Sequence, residues 1–264
     1  MKRYATLAAL TLLLASASAQ AAVTVIASYR LGDADPGAAN TLPGAAQTLP
    51  SVGSQPLDRF GSPTYSSEGP PRGVLSRLSM SFDGSTARYM GPVLTTATNN
   101  FGIEAWVRSN GRVTNNATIA YNGNTASSGF GLFRLGNQWG YLQGGVVLGG
   151  GAPVSTDWTH LALVRDAGVS RFFVNGTQVT TTAAAPNPAV GNFLVGGNPL
   201  VATEWFDGLI DEVRVFTFNP GEFQVGDLNY AERPALPVPT QSPHASVALA
   251  AFLVLLGLLA LPRR

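Results

Sequence analysis

The sequence predicts an all-β fold with a sandwich-type core, and three observations carry this prediction. Residues 23–232 show no long helical period and no internal repeat. Short apolar or alternating runs recur there between Gly, Asn and Pro residues, as is typical of strands separated by turns. With 30 glycines, 18 prolines and only 12% charged residues in 264, the chain favours many turns over long charged helices.

Nine runs fit the strand pattern, and we predict a strand in each. In chain order these are Ser79–Phe82, Phe101–Val107, Gly129–Leu135, Trp139–Leu142, Trp158–Arg165, Arg171–Val174, Thr177–Thr181, Phe193–Val195 and Leu209–Phe216. The pair Asn175-Gly176 predicts a type I′ hairpin turn, because both central residues of that turn have positive φ. A short polar helix is expected over residues 220–228, and the Asn-rich segments 115–116 and 122–124 are interpreted as turns.

The composition excludes several classes of chemistry. Cysteine is absent, so the chain has no disulfides, Cys-ligated zinc, iron–sulfur clusters or thiol nucleophile, and its two histidines leave little for a His-rich metal site. Residues 22–232 contain eleven Arg, no Lys and fifteen Asp or Glu, a balance of −4. Phosphate contacts supply most nucleic-acid affinity, so we expect no nucleic-acid partner.

The amino terminus predicts export. Residues 1–21 have a basic start, an apolar run from Leu7 to Leu14, and a tail of small residues, which is the pattern of a signal peptide. We expect cleavage after Ala21; a retained anchor is the alternative. The following residues, 22–232, form the predicted folded domain.

The carboxy terminus predicts a linker and a membrane segment. Residues 233–244 hold four prolines, which favour a stiff, extended linker. Residues 245–264 contain an uncharged stretch followed by two arginines, and as a helix its 17 residues would reach about 25 Å, close to the thickness of a hydrocarbon core. Terminal arginines favour a cytoplasmic end, which places the domain on the non-cytoplasmic side, membrane-anchored or at the cell surface.

Several motifs, in order, resemble those of the laminin G-like branch of the concanavalin A-like jelly rolls. The resemblance covers nearly all of residues 23–220. It is carried by Ser81-Phe82-Asp83-Gly84, Phe101-Gly102-Ile103-Glu104-Ala105-Trp106-Val107, Trp158-Thr159-His160-Leu161-Ala162, Phe173-Val174-Asn175-Gly176 and the closing Phe206-Asp207-Gly208-Leu209-Ile210-Asp211-Glu212-Val213-Arg214-Val215-Phe216. It implies an antiparallel jelly-roll sandwich of two sheets. A fold does not fix a function.

A second resemblance concerns the chain's end. Val238, Pro239, Thr240 and Ser242, followed by the hydrophobic segment and the terminal arginines, resemble the IPTL type of carboxy-terminal sorting signal, a relative of PEP-CTERM signals in Gram-negative bacteria. The resemblance implies processing by an exosortase-like enzyme. Val238 replaces Ile and Gln241 replaces Leu, so a plain membrane anchor stays open as the alternative.

The reactive side chains favour a noncatalytic protein. His160 shares a strand face with Ala162 and Val164, so we expect it in or against the core with its ring nitrogens bonded to neighbours. No nucleophile elbow of the type Gly-x-Ser-x-Gly accompanies it. Glycan hydrolases of this fold place paired carboxylates in an E-x-D-x-x-E string, which is absent here. Glu104, beside Arg108, is likewise interpreted as structural.

Two carboxylates raise the question of calcium. By strict alternation Asp211 shares a face with Leu209, Val213 and Val215, and a carboxylate on an apolar face needs a partner. Backbone N–H groups, an arginine or Ca²⁺ could each satisfy it, and Asp83 could supply further oxygens to calcium. The simpler alternative is a hydrogen-bonded Asp211 with Glu212 paired to an arginine such as Arg214. Some members of the resembled family bind calcium.

The candidate ligand-binding residues are Trp139, Tyr141 and Trp205. If exposed, these rings could stack on sugars; alternatively they fill the interior. The sequence thus predicts an exported, noncatalytic, surface- or membrane-associated module that recognises a glycan or another extracellular ligand through loops at the sandwich rim. A structural envelope or biofilm matrix protein without a small ligand is the second hypothesis, and a glycan hydrolase the third.

Overall fold

The computed structural model of this chain describes residues 23–71, 76–111, 116–201 and 203–230. The described residues form sixteen strands and one short 3₁₀ helix, Val225–Asp227. The strands are β1 (Val23–Tyr29), β2 (Gln47–Thr48), β3 (Leu57–Phe60), β4 (Thr64–Ser66), β5 (Ser79–Asp83), β6 (Arg88–Pro92), β7 (Phe101–Ser109), β8 (Asn116–Asn124), β9 (Ser128–Leu135), β10 (Gln138–Gln143), β11 (Val147–Pro153), β12 (Thr159–Asp166), β13 (Val169–Val174), β14 (Thr177–Thr182), β15 (Asn192–Val195) and β16 (Asp207–Phe218).

Two eight-stranded antiparallel sheets make up the fold. Sheet 1 has the order β14-β13-β12-β7-β16-β5-β4, and β1 pairs with the second half of β16. Sheet 2 has the order β11-β10-β9-β8-β15-β6-β3-β2. Each sheet combines hairpins of consecutive strands with pairs that are distant in sequence, such as β7 with β16 and β8 with β15, as in a jelly roll, and this confirms the predicted all-β sandwich.

The main core lies between the inner faces of the two sheets. Side chains that alternate along each strand meet there, including Ile103, Leu163 and Val215 from sheet 1 and Leu132 and Phe193 from sheet 2. All five are fully buried. Burial of apolar surface on this scale is the dominant favourable term for a fold of this size.

A second apolar layer covers the outer face of sheet 1. Phe216 and Phe173 point away from the main core and pack against Phe223, Leu228 and Tyr230 of the segment that follows β16. Gly102 leaves room for the Phe216 ring, because a Cβ at this position would lie 2.2 Å from it. The segment 219–230 is therefore fixed to the sheet rather than trailing from it.

A third apolar cluster lies on the outer face of sheet 2. Tyr121, Phe133 and Leu194 are buried there, with Met90 packed beside them. The Tyr121 ring lies over Gly131 of the neighbouring strand, where a Cβ would come within 2.5 Å of the ring.

All nine predicted strands are present, within a few residues of the expected bounds. The Asn175-Gly176 turn is confirmed, with φ of 48° and 74° at its two central residues. Two predictions were wrong. Asn116 and residues 122–124 belong to the buried strand β8 rather than to turns, and the helix expected over 220–228 shrinks to the 3₁₀ turn Val225–Asp227.

The strict alternation expected along β16 was also wrong. The pairing register with β7 shifts between Asp211 and Arg214, and Glu212 has a φ of 49°. This bulge adds residues to one strand and changes which face the following side chains take. As a result Ile210 and Val213 both enter the main core, while Leu209 does not.

The predicted signal peptide (1–21), linker (233–244), sorting motif and hydrophobic helix (245–264) lie outside the described residues. Within the part of the chain that is described, no helix is long and apolar enough to cross a bilayer.

Candidate ligand-binding rim

Four crossings between the sheets lie at one end of the sandwich and form what we call the loop rim. They are the β3–β4 connection (61–63), the β5–β6 connection (84–87), the start of the β7–β8 connection (110–111) and the β15–β16 connection (196–206, of which 202 is not described). Backbone hydrogen bonds tie them together: Gly84 N donates to Phe206 O, and Asn110 N donates to Asp207 O. The rim is thus a connected part of the surface.

Trp139 and Tyr141 do not belong to this rim. Their exposed fractions are 0% and 2%, and both lie in the main core, where Trp139 approaches Phe206 and Tyr141 approaches Phe172. The prediction that they contact a ligand was therefore wrong. Their spacing put them on one strand face, but that face of β10 is the inner one.

Trp205 does lie on the rim and is half-buried. Its ring packs against Gly197, where a Cβ would come within 2.2 Å of the ring. The guanidinium carbon of Arg88 lies 5.5 Å from the Trp205 ring centroid and 4.5 Å from the Phe60 ring centroid. Because Trp205 already contacts Gly197 and Arg88, it is part of a mixed patch rather than a free stacking platform.

Strand pairing places the Phe60–Arg88–Trp205 patch on the outer face of sheet 2. Phe60 and Arg88 are directly opposite each other in the pairing of β3 with β6. The next residue, Tyr89, points into the main core, so alternation directs Arg88 outward. No local sequence pattern indicates this patch, because the pairing of β3 with β6 brings Phe60 to Arg88 and the β15–β16 connection brings Trp205 to them.

The Arg88 guanidinium has few hydrogen bonds. Its Nη1 donates to Thr86 O at 3.3 Å, and its buried Nε has no hydrogen-bond partner. Burial lowers the pKa of Arg88 below its ordinary value. Within the described residues, no carboxylate forms an ion pair with it.

A polar groove flanks the same rim on the outer face of sheet 1. Its volume is about 340 Å³, and hydroxyl and amide groups dominate its lining: Asn40, Thr41, Thr64, Tyr65, Ser66, Glu68, Ser81, Asn110 and Leu209. Asn110 joins it to the rim through a hydrogen bond from Nδ2 to Asp207 Oδ1 at 3.0 Å. Glu68 is the acidic residue of this lining, and it pairs with Arg108. Such a lining suits a polyhydroxylated ligand.

His160 and Glu104 form a closed structural cluster away from the rim. Both side chains are fully buried, and His160 Nε2 lies 3.0 Å from Glu104 Oε2. Arg214 donates to Glu104 Oε1, and the backbone N–H of Asn229 donates to Oε2 at 3.1 Å. The expectation of a buried His160 is met, although its Nδ1 has no hydrogen-bond partner.

This cluster clamps the segment after β16 to sheet 1. Besides the bond from Asn229 to Glu104, Trp106 Nε1 donates to Asn229 O at 2.9 Å and Arg214 donates to Asp227 O. Burial acts to raise the pKa of Glu104, but the Arg214 charge and the bonds from His160 and Asn229 hold it below its ordinary value. Glu104 is therefore an ionised anchor.

Asp83 and Asp211 do not fit a shared calcium site. Asp83 lies opposite Asp207 in the pairing of β5 with β16, whereas Asp211 is four residues further along β16. Asp83 Oδ1 accepts backbone N–H bonds from Ser85, Thr86 and Ala87 at 2.9 to 3.0 Å. Burial acts to raise the Asp83 pKa, but these bonds hold it well below its usual range. Across the described ranges, no group of three or more acidic or histidine side chains is arranged for a metal ion.

Asp211 is satisfied by its neighbours instead. The Glu212 N–H donates to its Oδ1 at 2.7 Å, and the Ser76 hydroxyl contacts both its Oδ2 and Asp33 Oδ2, at 2.5 and 2.6 Å. The Ser76 hydroxyl also lies 2.9 Å from Leu78 O, and its single proton can be donated to only one of these acceptors at a time. Burial and the nearby Glu212 raise the pKa of Asp211 well above its usual value, which favours its protonated form.

Glu212 pairs with Arg30 rather than with Arg214. Arg30 Nε donates to Glu212 Oε1 at 3.1 Å, whereas Arg214 is held by Glu104. The bulge turns Glu212 toward Arg30 of the chain leaving β1, so the expected pairing with an arginine is confirmed, but with Arg30 in place of Arg214.

A family model described as the concanavalin A-like lectin/glucanases superfamily matches residues 82–220. Domain 4 of AbnA, an extracellular GH43 arabinanase from Geobacillus stearothermophilus, solved in complex with arabinotriose, is similar in structure with a TM-score of 0.50 and 19% identity. That match covers 78% of this chain and 98% of that domain. No curated protein sequence matches the chain.

Larger proteins contain similar folds. The binding domain of botulinum neurotoxin serotype D/C has a TM-score of 0.51 and 14% identity, over 78% of this chain and 50% of that one. The sialidase of Trypanosoma rangeli in complex with 2,3-difluorosialic acid has a TM-score of 0.50 and 14% identity, over 76% of this chain and 31% of that one. At these identities the likeness shows the fold alone.

Proposed function

Because the chain belongs to the concanavalin A-like lectin/glucanases superfamily, we propose that it is an exported, noncatalytic module that binds a glycan at its loop rim. The observation that carries the proposal is the pairing of two features beside one rim. A hydroxyl- and amide-lined groove lies on the sheet 1 side, and a half-exposed aromatic and arginine patch lies on the sheet 2 side. Sugars are recognised by such combinations of polar groups and aromatic surface.

The contacts made by three glutamate carboxylates support a noncatalytic role. Glycoside hydrolysis needs two carboxyl groups about 5 to 10 Å apart across a substrate site. Glu104 is bonded to Arg214 and His160 beneath the carboxy-terminal segment, and Glu204 accepts a bond from Asn198 Nδ2 at 2.8 Å. Glu68 in the groove faces Arg108. In these positions the acids stabilise the scaffold.

A location outside the cytoplasm, which the sequence predicts from both ends of the chain, would suit the same role. A signal peptide over 1–21 would export the chain, and the segment over 245–264 would either anchor it or serve an exosortase-like enzyme. The clamp on residues 219–230 would give such an anchor a rigid attachment to the domain. The binding rim would then be held at the cell surface.

The similar arabinanase domain, solved with arabinotriose, supports oligosaccharide binding by a domain of this size and fold. We expect the purified full-length protein in detergent to bind a subset of oligosaccharides on a glycan array. Trp205→Ala and Ser81→Leu, which alter the patch and the groove, should each weaken binding by tenfold or more if both sides contribute.

Arg171→Gln is the control, because Arg171 lies on β13 of sheet 1 outside the groove and patch. Binding that survives both rim variants would place the ligand elsewhere. Saturable self-association without any glycan binding would favour the structural matrix hypothesis, and hydrolysis of an arrayed oligosaccharide would favour the hydrolase.

A further inference from the structure

Resting on the proposed function, we infer that the glycan bound at the loop rim carries an acidic group, a carboxylate or a sulfate, and that Arg88 binds it. This ligand class is inferred from the Phe60–Arg88–Trp205 patch alone.

The geometry holds the guanidinium ready for a ligand. The Arg88 Cζ lies 4.5 Å from the Phe60 ring centroid and 5.5 Å from the Trp205 ring centroid. Cation–π contact with two rings restricts the side chain and removes water from it. A side chain already ordered in the free protein loses little entropy when a ligand binds, which favours affinity.

In the described part of the chain, no carboxylate pairs with the Arg88 guanidinium. It makes one long hydrogen bond, to the Thr86 carbonyl, and its Nε is buried without a partner. Among the described arginines, Arg214 pairs with Glu104, whereas Arg165, whose Nε is also buried without a partner, uses its Nη groups to donate to Ser170 and to the carbonyls of Ala183 and Ala184. The donors of Arg88 that a ligand can reach are its Nη groups, of which only Nη1 makes a hydrogen bond to a described residue.

The hydrogen-bond donors of the guanidinium determine which ligand group it prefers. A guanidinium presents its N–H donors as a planar fork that matches two oxygens of a carboxylate or sulfate. A neutral hydroxyl could accept one of these bonds but would leave the charge uncompensated, and charge-assisted bonds are roughly twice as strong as neutral ones. The half-buried position of Arg88 reduces screening by water and enlarges this difference.

The net charge of the domain excludes binding of polyanions to a generally basic surface. With a balance of −4 over residues 22–232, the domain repels polyanions in general. Asp58 is exposed on the same strand as Phe60 and adds a negative charge beside the patch. Binding of an acidic sugar therefore depends on the local fit at Arg88 rather than on a basic surface.

The test measures binding of the full-length protein, in detergent, to an array that holds matched pairs of oligosaccharides. Oligogalacturonates are paired with their methyl esters, and sulfated oligosaccharides with their unsulfated counterparts. We expect at least tenfold tighter binding to the acidic member of one pair, and the pair that responds distinguishes carboxylate from sulfate. Raised salt should weaken this binding and leave the neutral member little changed.

Variants then locate the effect. Arg88→Gln should lose about 10- to 100-fold in affinity for the acidic glycan, the range expected for a bond to a charged group. Arg88→Lys should recover part of this loss, since it restores the charge without the fork. Arg171→Gln removes the same charge from the other sheet and should have no effect. Thermal unfolding of each variant confirms that it is folded.

The outcomes separate this inference from the proposed function. Equal binding of acidic and neutral members, or acidic binding that is unchanged in Arg88→Gln, would overturn the inference and leave glycan binding intact. Absence of binding to every glycan would overturn both. If Arg88→Gln does not fold, Arg88→Lys decides the question: it must bind the acidic member more weakly than the wild type does, and unchanged affinity would overturn the inference.

Discussion

Replacement of Glu104 by glutamine tests the clamp that holds the carboxy-terminal segment. Glu104 is fully buried and uses both oxygens: Oε1 accepts from Arg214, while Oε2 meets His160 and the Asn229 N–H. Glutamine keeps the shape but has one acceptor oxygen. Either Arg214 or Asn229 then faces an NH₂ group, and the Arg214 charge remains buried without its partner.

Loss of one partner from a buried ion pair costs about 3 to 5 kcal/mol. For a domain of this size each kcal/mol lowers the melting temperature by about 2 to 4 °C, so Glu104→Gln should lower it by roughly 6 to 20 °C. Urea denaturation measures the free energy, and chymotrypsin digestion should show earlier cleavage near Phe223 and Tyr230, which the clamp holds down.

The comparison for this effect is Glu68→Gln, whose partner Arg108 is a third exposed and whose own side chain is 61% exposed. An exposed pair of this kind contributes about 0 to 1 kcal/mol. Adding Arg214→Met to Glu104→Gln should recover part of the loss, because no guanidinium is then left unpaired. If Glu104→Gln costs no more than Glu68→Gln, the cluster does not stabilise the fold in the way described.

Three further predictions concern the core, a turn and the bulge. Trp139→Ala should lower the free energy of unfolding, measured by urea denaturation, by about 3 to 5 kcal/mol. The folded fraction should keep its glycan affinity, because the ring lies wholly inside. An affinity loss in folded protein would contradict this. Gly176→Ala should cost more than Gly168→Ala, because both have positive φ but only the first would press a Cβ against the Tyr230 ring at 2.4 Å; equal melting temperatures would count against that contact. The raised pKa of Asp211 means that the folded protein holds this proton more tightly than the unfolded chain, so the carboxyl stabilises at low pH and that stability is lost as pH rises through its folded pKa. Asp211→Asn, which resembles the protonated form, should gain stability relative to the wild type as the pH rises above the ordinary Asp pKa of 3.8, and a difference that does not change with pH would contradict the raised pKa.

Local patterns were enough to predict the fold class. Alternating apolar runs located nine strands, and Asn175-Gly176 located a turn because few other pairs accept positive φ at both positions. β8 was missed because its asparagines carry turn propensity, which the burial of its neighbours in sheet 2 overrides.

Features that depend on distant pairing were not predictable in the same way. Periodicity assumes a regular strand, and the bulge at Asp211 and Glu212 breaks that assumption, which moved Glu212 to Arg30, 182 residues away in sequence. Arg88 meets Phe60 through sheet register and Trp205 through the path of the β15–β16 connection, so no local motif could indicate the patch. Trp139 and Tyr141 were placed on a common face correctly, but periodicity does not say which face is inner.

Hydrogen exchange of the full-length protein, with and without the tightest oligosaccharide from the array, tests the binding rim most directly. The account predicts slower exchange confined to the loop rim (61–63, 84–88, 110–111 and 196–206) and the adjoining groove residues 40–41 and 64–66, with no change in the clamped segment 219–230. Protection centred on that segment, or no protection by any arrayed glycan, would contradict it.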